Sequence, residues 1–136
     1  MKVLLSIKPE YADMIFSGEK KYEFRRAIFK NRTVTHIVVY ASSPVRKVVG
    51  EFEVARIIHD DVRVLWNETG SVAGISEGKY FDYFSDRREG YAIQIGKTLK
   101  YEPTLSLREE YGLAPPQSFA YVQEPTSTVC APPAES

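Results

Sequence analysis

The densest cluster of polar side chains in the chain is the run from Gly18 to Arg26, GEKKYEFRR. If a strand begins near Lys21, then Lys21, Glu23 and Arg25 share one face, because successive side chains of a strand point to opposite faces. Lys20 precedes that strand at a turn. Converging Lys and Arg side chains can bind a phosphate or the edge of a nucleobase, with the carboxylate orienting the cations and limiting their repulsion. The alternative is a solvated strand face with ion pairs worth about 0–1 kcal/mol each.

Two further polar segments are candidates for the same site. Ser42 and Ser43 precede a proline at the end of a predicted strand, and Gln117 and Ser118 follow a Pro-Pro pair. Each segment alone is more often turn chemistry than a binding site. The two histidines have no partner at metal-ligand spacing, and the sequence has neither a phosphate-binding loop nor a dinucleotide fingerprint. We therefore expect no metal and no cofactor.

Charge is distributed unevenly along a chain of 136 residues whose formal net charge is zero. Residues 1–50 carry ten basic and four acidic side chains, a net charge of +6, and residues 51–136 carry −6. This asymmetry favours an anionic partner for the basic half, unless the two halves neutralise each other in the fold. No apolar run is long enough to span a membrane and no signal peptide is evident. We expect a cytoplasmic protein that does not enter the membrane.

The elements that must position these residues are short strands and shorter helices. Alternating or β-branched runs predict strands over residues 2–7, 21–26, 36–41, 48–58 and 119–122, with residues 91–101 forming a pair or one bent strand around Gly96. Capping residues predict helices over Pro9–Ser17 and after Asp61, Ser76 and Ser106. The pattern predicts an α+β fold: a small, mostly antiparallel β-barrel with short flanking helices, since closure would remove exposed strand edges. We expect one domain over residues 1–122, and a disordered tail over residues 123–136 because of its Pro, Thr, Ser and Ala content.

Several segments resemble the ASCH domain, a member of the PUA-like superfamily. They are LSIKPEYA at residues 5–12, GEKKYEFR at 18–25, YASSP at 40–44, GEF at 50–52 and PPQSF at 115–119. The resemblance implies a small β-barrel with flanking helices and a role in binding RNA or a modified base. It also implies possible enzymes: one branch removes the acyl group from N4-acetylcytidine and another is described as a ribonuclease. Lys20 and Arg25 match the family's Lys and Arg, whereas Glu23 occupies the position of the family's Thr.

Our leading hypothesis is a module that binds RNA or a modified nucleotide in a basic cleft. Phosphate contacts would come from Lys8, Lys20, Lys21, Arg25 and Arg26, while base or sugar edges would be read by Glu23, Ser42, Ser43, Gln117 and Ser118. The alternative is a hydrolase, with Lys20 as the activated amine or oxyanion stabiliser and Glu23 as the general base. A third interpretation is a protein-interaction barrel. The first two require the charged residues after the first helix to line a concave surface.

Overall fold

Six strands and four short α-helices alternate along the chain in the computed structural model, which describes residues 1–117 and 119–122. The strands are β1 (Lys2–Ile7), β2 (Tyr22–Arg25), β3 (His36–Ala41), β4 (Lys47–Asp61), β5 (Glu89–Leu105) and β6 (Ala120–Val122). The helices are α1 (Pro9–Ser17), α2 (Val62–Thr69), α3 (Glu77–Phe84) and α4 (Leu107–Tyr111), with a 3-10 turn at Gly70–Val72. The predicted helix Pro9–Ser17 is confirmed, and so are the caps: Asp61, Ser76 and Ser106 each accept a backbone N–H from the following turn.

The strands form one mixed sheet in the order β2-β5-β4-β3-β1-β6. β1 pairs with β3 in parallel and every other pair is antiparallel. The predicted α+β class is confirmed, but the predicted closed barrel is wrong, because β2 and β6 lie at opposite edges of the sheet. Both edge strands are only three or four residues long. Short edges expose little unpaired backbone, so the fold limits edge-to-edge association without closing the sheet.

The two longest strands bend as they run past each other. Residues 89–105 form one continuous strand, which confirms one of the two alternatives predicted around Gly96. Three register shifts interrupt the pairing of β4 with β5. One of them lies beside Gly50, where a Cβ would come within 2.5 Å of the Leu99 carbonyl oxygen and 2.6 Å of the Phe16 ring. A side chain at Gly50 would therefore push β5 and α1 away from the bend.

Two apolar clusters pack the helices against the sheet. The first packs α1, through Ala12 and Ile15, against the side chains of the central strands. The second surrounds Tyr80 of α3, whose ring contacts Phe24 edge-on at 5.0 Å and whose hydroxyl donates to the Val62 carbonyl at 2.7 Å. Tyr80 and Phe84 of α3 are fully buried. β2 is thus packed against α3 through the Phe24 ring, which contacts the rings of Tyr80 and Phe84.

A polar cluster joins side chains of three strands, β1, β4 and β5. The Glu51 carboxylate accepts hydrogen bonds from the Lys2 ammonium at 2.8 Å and from the Tyr101 hydroxyl at 2.6 Å. Burial alone would raise the pKa of the Glu51 carboxyl, but these hydrogen bonds outweigh burial and hold the pKa below its usual value. Burial and the same hydrogen bond raise the pKa of Tyr101. The cluster ties β1, β4 and β5 together.

The described residues do not test several of the predictions made from the sequence. The tail predicted to be disordered, residues 123–136, lies outside the described residues, as does Ser118. The domain boundary at Val122 and the cytoplasmic location stay predictions. None of the helices within residues 1–117 and 119–122 is both long enough and apolar enough to cross a membrane.

Candidate nucleic-acid site

A cavity of about 760 Å³ opens where β2, the start of α1 and α3 meet. We call it the main cavity; it is lined by Ser6, Ile7, Lys8, Tyr11, Glu23, Phe24, Arg25, Arg26, Ala27, Ile75, Lys79, Asp82, Tyr83, Arg87 and Gln117. The lining includes five cationic and two acidic side chains, together with two tyrosines. A volume of this size suits a nucleotide or another small organic ligand. The surplus of cations favours one that carries negative charge.

Glu23 and Arg25 form an ion pair in the wall of the main cavity. Both side chains leave the same face of β2, as its period of two requires. The Arg25 Nη1 lies 3.0 Å from Glu23 Oε2, and the two side chains are only 14% and 9% exposed. The same guanidinium nitrogen approaches the Ser6 carbonyl oxygen at 3.5 Å. The pair therefore presents a carboxylate and a guanidinium to the cavity from fixed positions.

Lys20 lies behind this wall. Its side chain is 2% exposed, and its ammonium donates to the Ala73 carbonyl at 2.7 Å. The ammonium also lies 5.1 Å from the ring centroid of Tyr11 and 5.3 Å from that of Phe24, two residues that do line the cavity. Burial lowers the pKa of Lys20, and the nearby Glu23 carboxylate acts in the opposite direction. Lys20 thus supports the cavity wall from inside.

The rim opposite β2 comes from α3 and the turn that follows it. The Arg26 guanidinium lies over the Tyr83 ring at 4.8 Å from its centroid, and Arg87 donates to the Arg26 carbonyl at 3.5 Å. Of the residues at this rim, Arg26 was predicted from the sequence, whereas Lys79, Asp82, Tyr83 and Arg87 were not. The signal was present, because Lys79, Asp82 and Tyr83 are spaced three and four residues apart and must share one face of a helix.

The residues predicted to contact nucleic acid fall into three groups. The structure brings part of the set to the lining of the main cavity: Lys8, Glu23, Arg25, Arg26 and Gln117. Lys20 is buried behind the lining, while the exposed Lys21 and Ser43 lie outside it. Ser42 also lies outside the lining, and its N–H donates to the Ile7 carbonyl at 3.0 Å. The concave surface therefore forms from β2, the start of α1 and α3, and its lining includes neither Lys20 and Lys21 nor Ser42 and Ser43.

Metal chemistry has no candidate in the described part of the chain. Residues 1–117 and 119–122 hold no group of three or more His, Cys, Asp or Glu side chains that could bind a metal ion. The polar groups of the main cavity include the ion pair of β2, the cations of its rim, the carboxylate of Asp82, the two tyrosine hydroxyls and the amide of Gln117. These groups can accept and donate hydrogen bonds and can neutralise phosphate charge.

Comparison with known families identifies the fold. The family model described as ASCH domain matches residues 5–104. The chain belongs to the ASCH domain family. The match confirms the resemblance seen in the sequence, and the ASCH fold is consistent with membership of the PUA-like superfamily.

Individual ASCH relatives extend the match over most of the chain. A Zymomonas mobilis protein named ASCH domain-containing ribonuclease is 30% identical over 128 residues, covering 90% of this chain and 85% of that protein. The crystal structure of ASCH from Zymomonas mobilis superposes with a TM-score of 0.86 and 30% identity, covering 96% of this chain and 94% of that one. A similar segment also occurs in a longer Ureaplasma parvum protein named ATP synthase subunit alpha, at 32% identity over 122 residues, covering 89% of this chain and 15% of that protein.

Proposed function

We propose that the chain binds single-stranded RNA in the main cavity. The observation that carries this proposal is the arrangement of cations and tyrosines around one concave surface, with Arg26 stacked over Tyr83. Cations neutralise phosphates and aromatic faces stack on bases, which is the usual combination in proteins that bind single strands. The ribonuclease name of the Zymomonas mobilis relative supports RNA as the ligand class.

The main cavity also offers groups that can distinguish bases. Glu23 is an acceptor when ionised and Gln117 can both donate and accept. A carboxylate pairs with an exposed amino group such as that of cytosine, so the Glu23–Arg25 pair favours a base with a donor on its edge. Those edges are accessible only in an unpaired or flipped-out nucleotide.

Salt-dependent binding tests the proposal. Affinity for a labelled single-stranded RNA is measured by fluorescence anisotropy over a series of salt concentrations for wild type, Arg26→Ser and Lys79→Ser. Each lost phosphate contact is expected to weaken binding and to make the slope of log affinity against log salt shallower by about 0.7. Lys97→Ser is the matched control, because Lys97 is an exposed cation on β5 outside the cavity lining. If Arg26→Ser and Lys79→Ser both bind RNA like wild type and like the Lys97→Ser control, RNA binding in the main cavity is disproved.

A second candidate is hydrolysis of RNA or of a modified nucleoside. Two observations favour it: the name of the relative, and a buried lysine of lowered pKa near the carboxylate of Glu23. Glu23 lines the cavity and would act as the general base, whereas Lys20 would reach a substrate only if the Tyr11 or Phe24 ring moved. Purified protein is incubated with labelled RNA and with N4-acetylcytidine. Turnover that Glu23→Gln abolishes at unchanged RNA affinity would establish the hydrolase.

A further inference from the structure

A second cavity, of about 670 Å³, lies beside the main one and has no role in the function proposed so far. It is formed by residues 28–32 and Val34, which connect β2 to β3, and by Val54 and Ile57 of β4. Most residues of the lining are apolar, and one of them, Ile57, is 38% exposed to solvent. Apolar surface that is open to solvent at the mouth of a cavity is typical of a ligand site.

The polar part of this second cavity is cationic. Its lining includes Lys30 and Arg32 and no carboxylate. Both side chains are exposed, and neither has an ion-pair partner in residues 1–117 and 119–122. The Asn31 amide is already engaged, since its oxygen accepts from the Thr33 N–H at 2.8 Å and its nitrogen lies 3.0 Å from Met1 Sδ. The site therefore offers charge and apolar contact but few hydrogen bonds to a base.

Consecutive residues of the chain line the two cavities. Ala27 lines the main cavity and Ile28 lines the second, and consecutive Cα atoms are about 3.8 Å apart. The segment after Ile28 is held in place by Tyr121, whose hydroxyl accepts from the N–H groups of Lys30 and Asn31 at 3.3 and 3.2 Å. Residues 26–32, which run from the lining of the main cavity into that of the second, carry two arginines, one lysine and no acidic side chain.

We infer that the second cavity holds a further nucleotide of the same RNA strand, with Lys30 and Arg32 on its phosphates and its base against Val54 and Ile57. The inference rests on the proposed RNA binding. The choice of RNA over a protein partner follows from the charge of the lining and from its continuity with the main cavity. Because the lining has few free hydrogen-bonding groups, this subsite accepts any base, whereas base selection takes place in the main cavity.

The test compares two probes that differ in length: uridine monophosphate and a single-stranded oligouridylate of about eight nucleotides, a length within the range that such proteins cover. K30S/R32S is expected to lose at least about tenfold more affinity for the oligomer than for the monophosphate, with a salt slope about 1.4 shallower. I57D is expected to weaken oligomer binding as well. The matched controls on β5, K97S/K100S and L99D, are expected to retain wild-type affinity, and melting temperatures check that each variant is folded.

Crosslinking locates the strand directly. An oligomer with 5-bromouridine at each position in turn is irradiated with the protein, which is then digested with trypsin. We expect some positions to label the fragments of the second cavity, residues 27–30, 48–56 or 57–63, and others to label the fragment of residues 80–87.

Each contrary outcome has a distinct meaning. If Arg26→Ser weakens oligomer binding while K30S/R32S and I57D do not, and crosslinks are confined to residues 80–87, the second subsite is disproved and the proposed function stands. If wild type binds neither probe, both fail. If I57D lowers self-association at unchanged RNA affinity, the second cavity is a protein-binding surface and the inference is wrong.

Discussion

Replacing Lys20 by Met tests the idea that a buried ammonium supports the wall of the main cavity. Lys20 is 2% exposed, and its stem packs against Gly74, where a Cβ would come within 2.6 Å of it. Methionine is unbranched and of similar length, so it can occupy the same space without the charge. The substitution therefore reports on the ammonium and leaves the packing nearly unchanged.

The magnitude follows from opposing contributions. The hydrogen bond from the Lys20 ammonium to the Ala73 carbonyl is 2.7 Å long, and a bond from a charged donor is worth about 1.5–3 kcal/mol. The contacts with Tyr11 and Phe24 add about 0.5–1 kcal/mol each. Against these stands the cost of burying the charge, which also lowers the pKa of Lys20. We expect Lys20→Met to reduce the free energy of unfolding by about 1–2 kcal/mol near neutral pH.

The pH dependence has a definite sign. Because burial lowers the pKa of Lys20 in the folded protein, the unfolded chain binds more protons between that pKa and the ordinary value of 10.5. Wild-type stability must rise with pH in that interval, by at most about 1.4 kcal/mol per pH unit. The Met variant lacks this gain. The difference in unfolding free energy between wild type and Lys20→Met is therefore expected to grow as pH rises from the folded-state pKa of Lys20 towards about pH 10.

Urea unfolding measures this difference through the emission of Trp66, the single tryptophan, which packs 4.9 Å from the Tyr80 ring. Lys21→Met is the matched control, since Lys21 is exposed and its loss should change stability by less than about 0.5 kcal/mol at every pH. Measurements stop near pH 10, where tyrosines of the unfolded chain begin to ionise. A difference that shrinks as pH rises would show that the attraction of Glu23 outweighs burial, and would refute the reasoning.

Two other predictions test the scaffold. Tyr101→Phe removes the 2.6 Å hydrogen bond to Glu51 and should cost about 1–3 kcal/mol by urea unfolding near neutral pH. The loss should be smaller in acid. The Glu51 carboxylate, whose pKa is lowered by folding, stabilises the fold above its unfolded-state pKa and loses this effect as pH falls through its folded-state pKa. An equal loss of stability near neutral pH and in acid would contradict this. Gly90→Ala should destabilise the folded protein by about 1–3 kcal/mol in thermal melts, because the added Cβ would overlap the Phe84 ring. Gly78→Ala, which lies in open space on α3, should instead stabilise the folded protein by about 0.5–1 kcal/mol. Equal effects at the two glycines would contradict the packing described.

Local patterns predicted the parts of the site that lie on one element. The period of two in residues 21–26 placed Glu23 and Arg25 on the same face, and the structure pairs them at 3.0 Å. The caps at Asp61 and Ser76 fixed the starts of α2 and α3 because each side chain bonds to a backbone N–H within its own turn. These features depend on residues a few positions apart, so the sequence contains them directly.

Pairings between distant segments could not be predicted in the same way. The burial of Lys20 depends on the carbonyl of Ala73, which is 53 positions away, and nothing near Lys20 in sequence signals it. The closed barrel was predicted from the succession of short strands and from the expectation that closure removes exposed strand edges, whereas closure depends on whether the edge strands meet. β2 pairs with β5 and β6 pairs with β1, so the two edges never do. The place of Tyr83 at the cavity rim likewise depends on how α3 packs against β2, which is distant from it in the sequence.

Glu23 is the residue on which the choice between binding and hydrolysis depends. It replaces the threonine expected from the family resemblance, and a carboxylate cannot stand in for a hydroxyl nucleophile without a different mechanism. In the described structure its Oε2 is held by the Arg25 guanidinium, and the lysine beside it donates to a backbone carbonyl. A carboxylate fixed by a guanidinium is well suited to accept hydrogen bonds from a base, a role that requires no movement. Proton transfer involving Lys20 would require displacement of the Tyr11 or Phe24 ring, so the geometry favours recognition over catalysis.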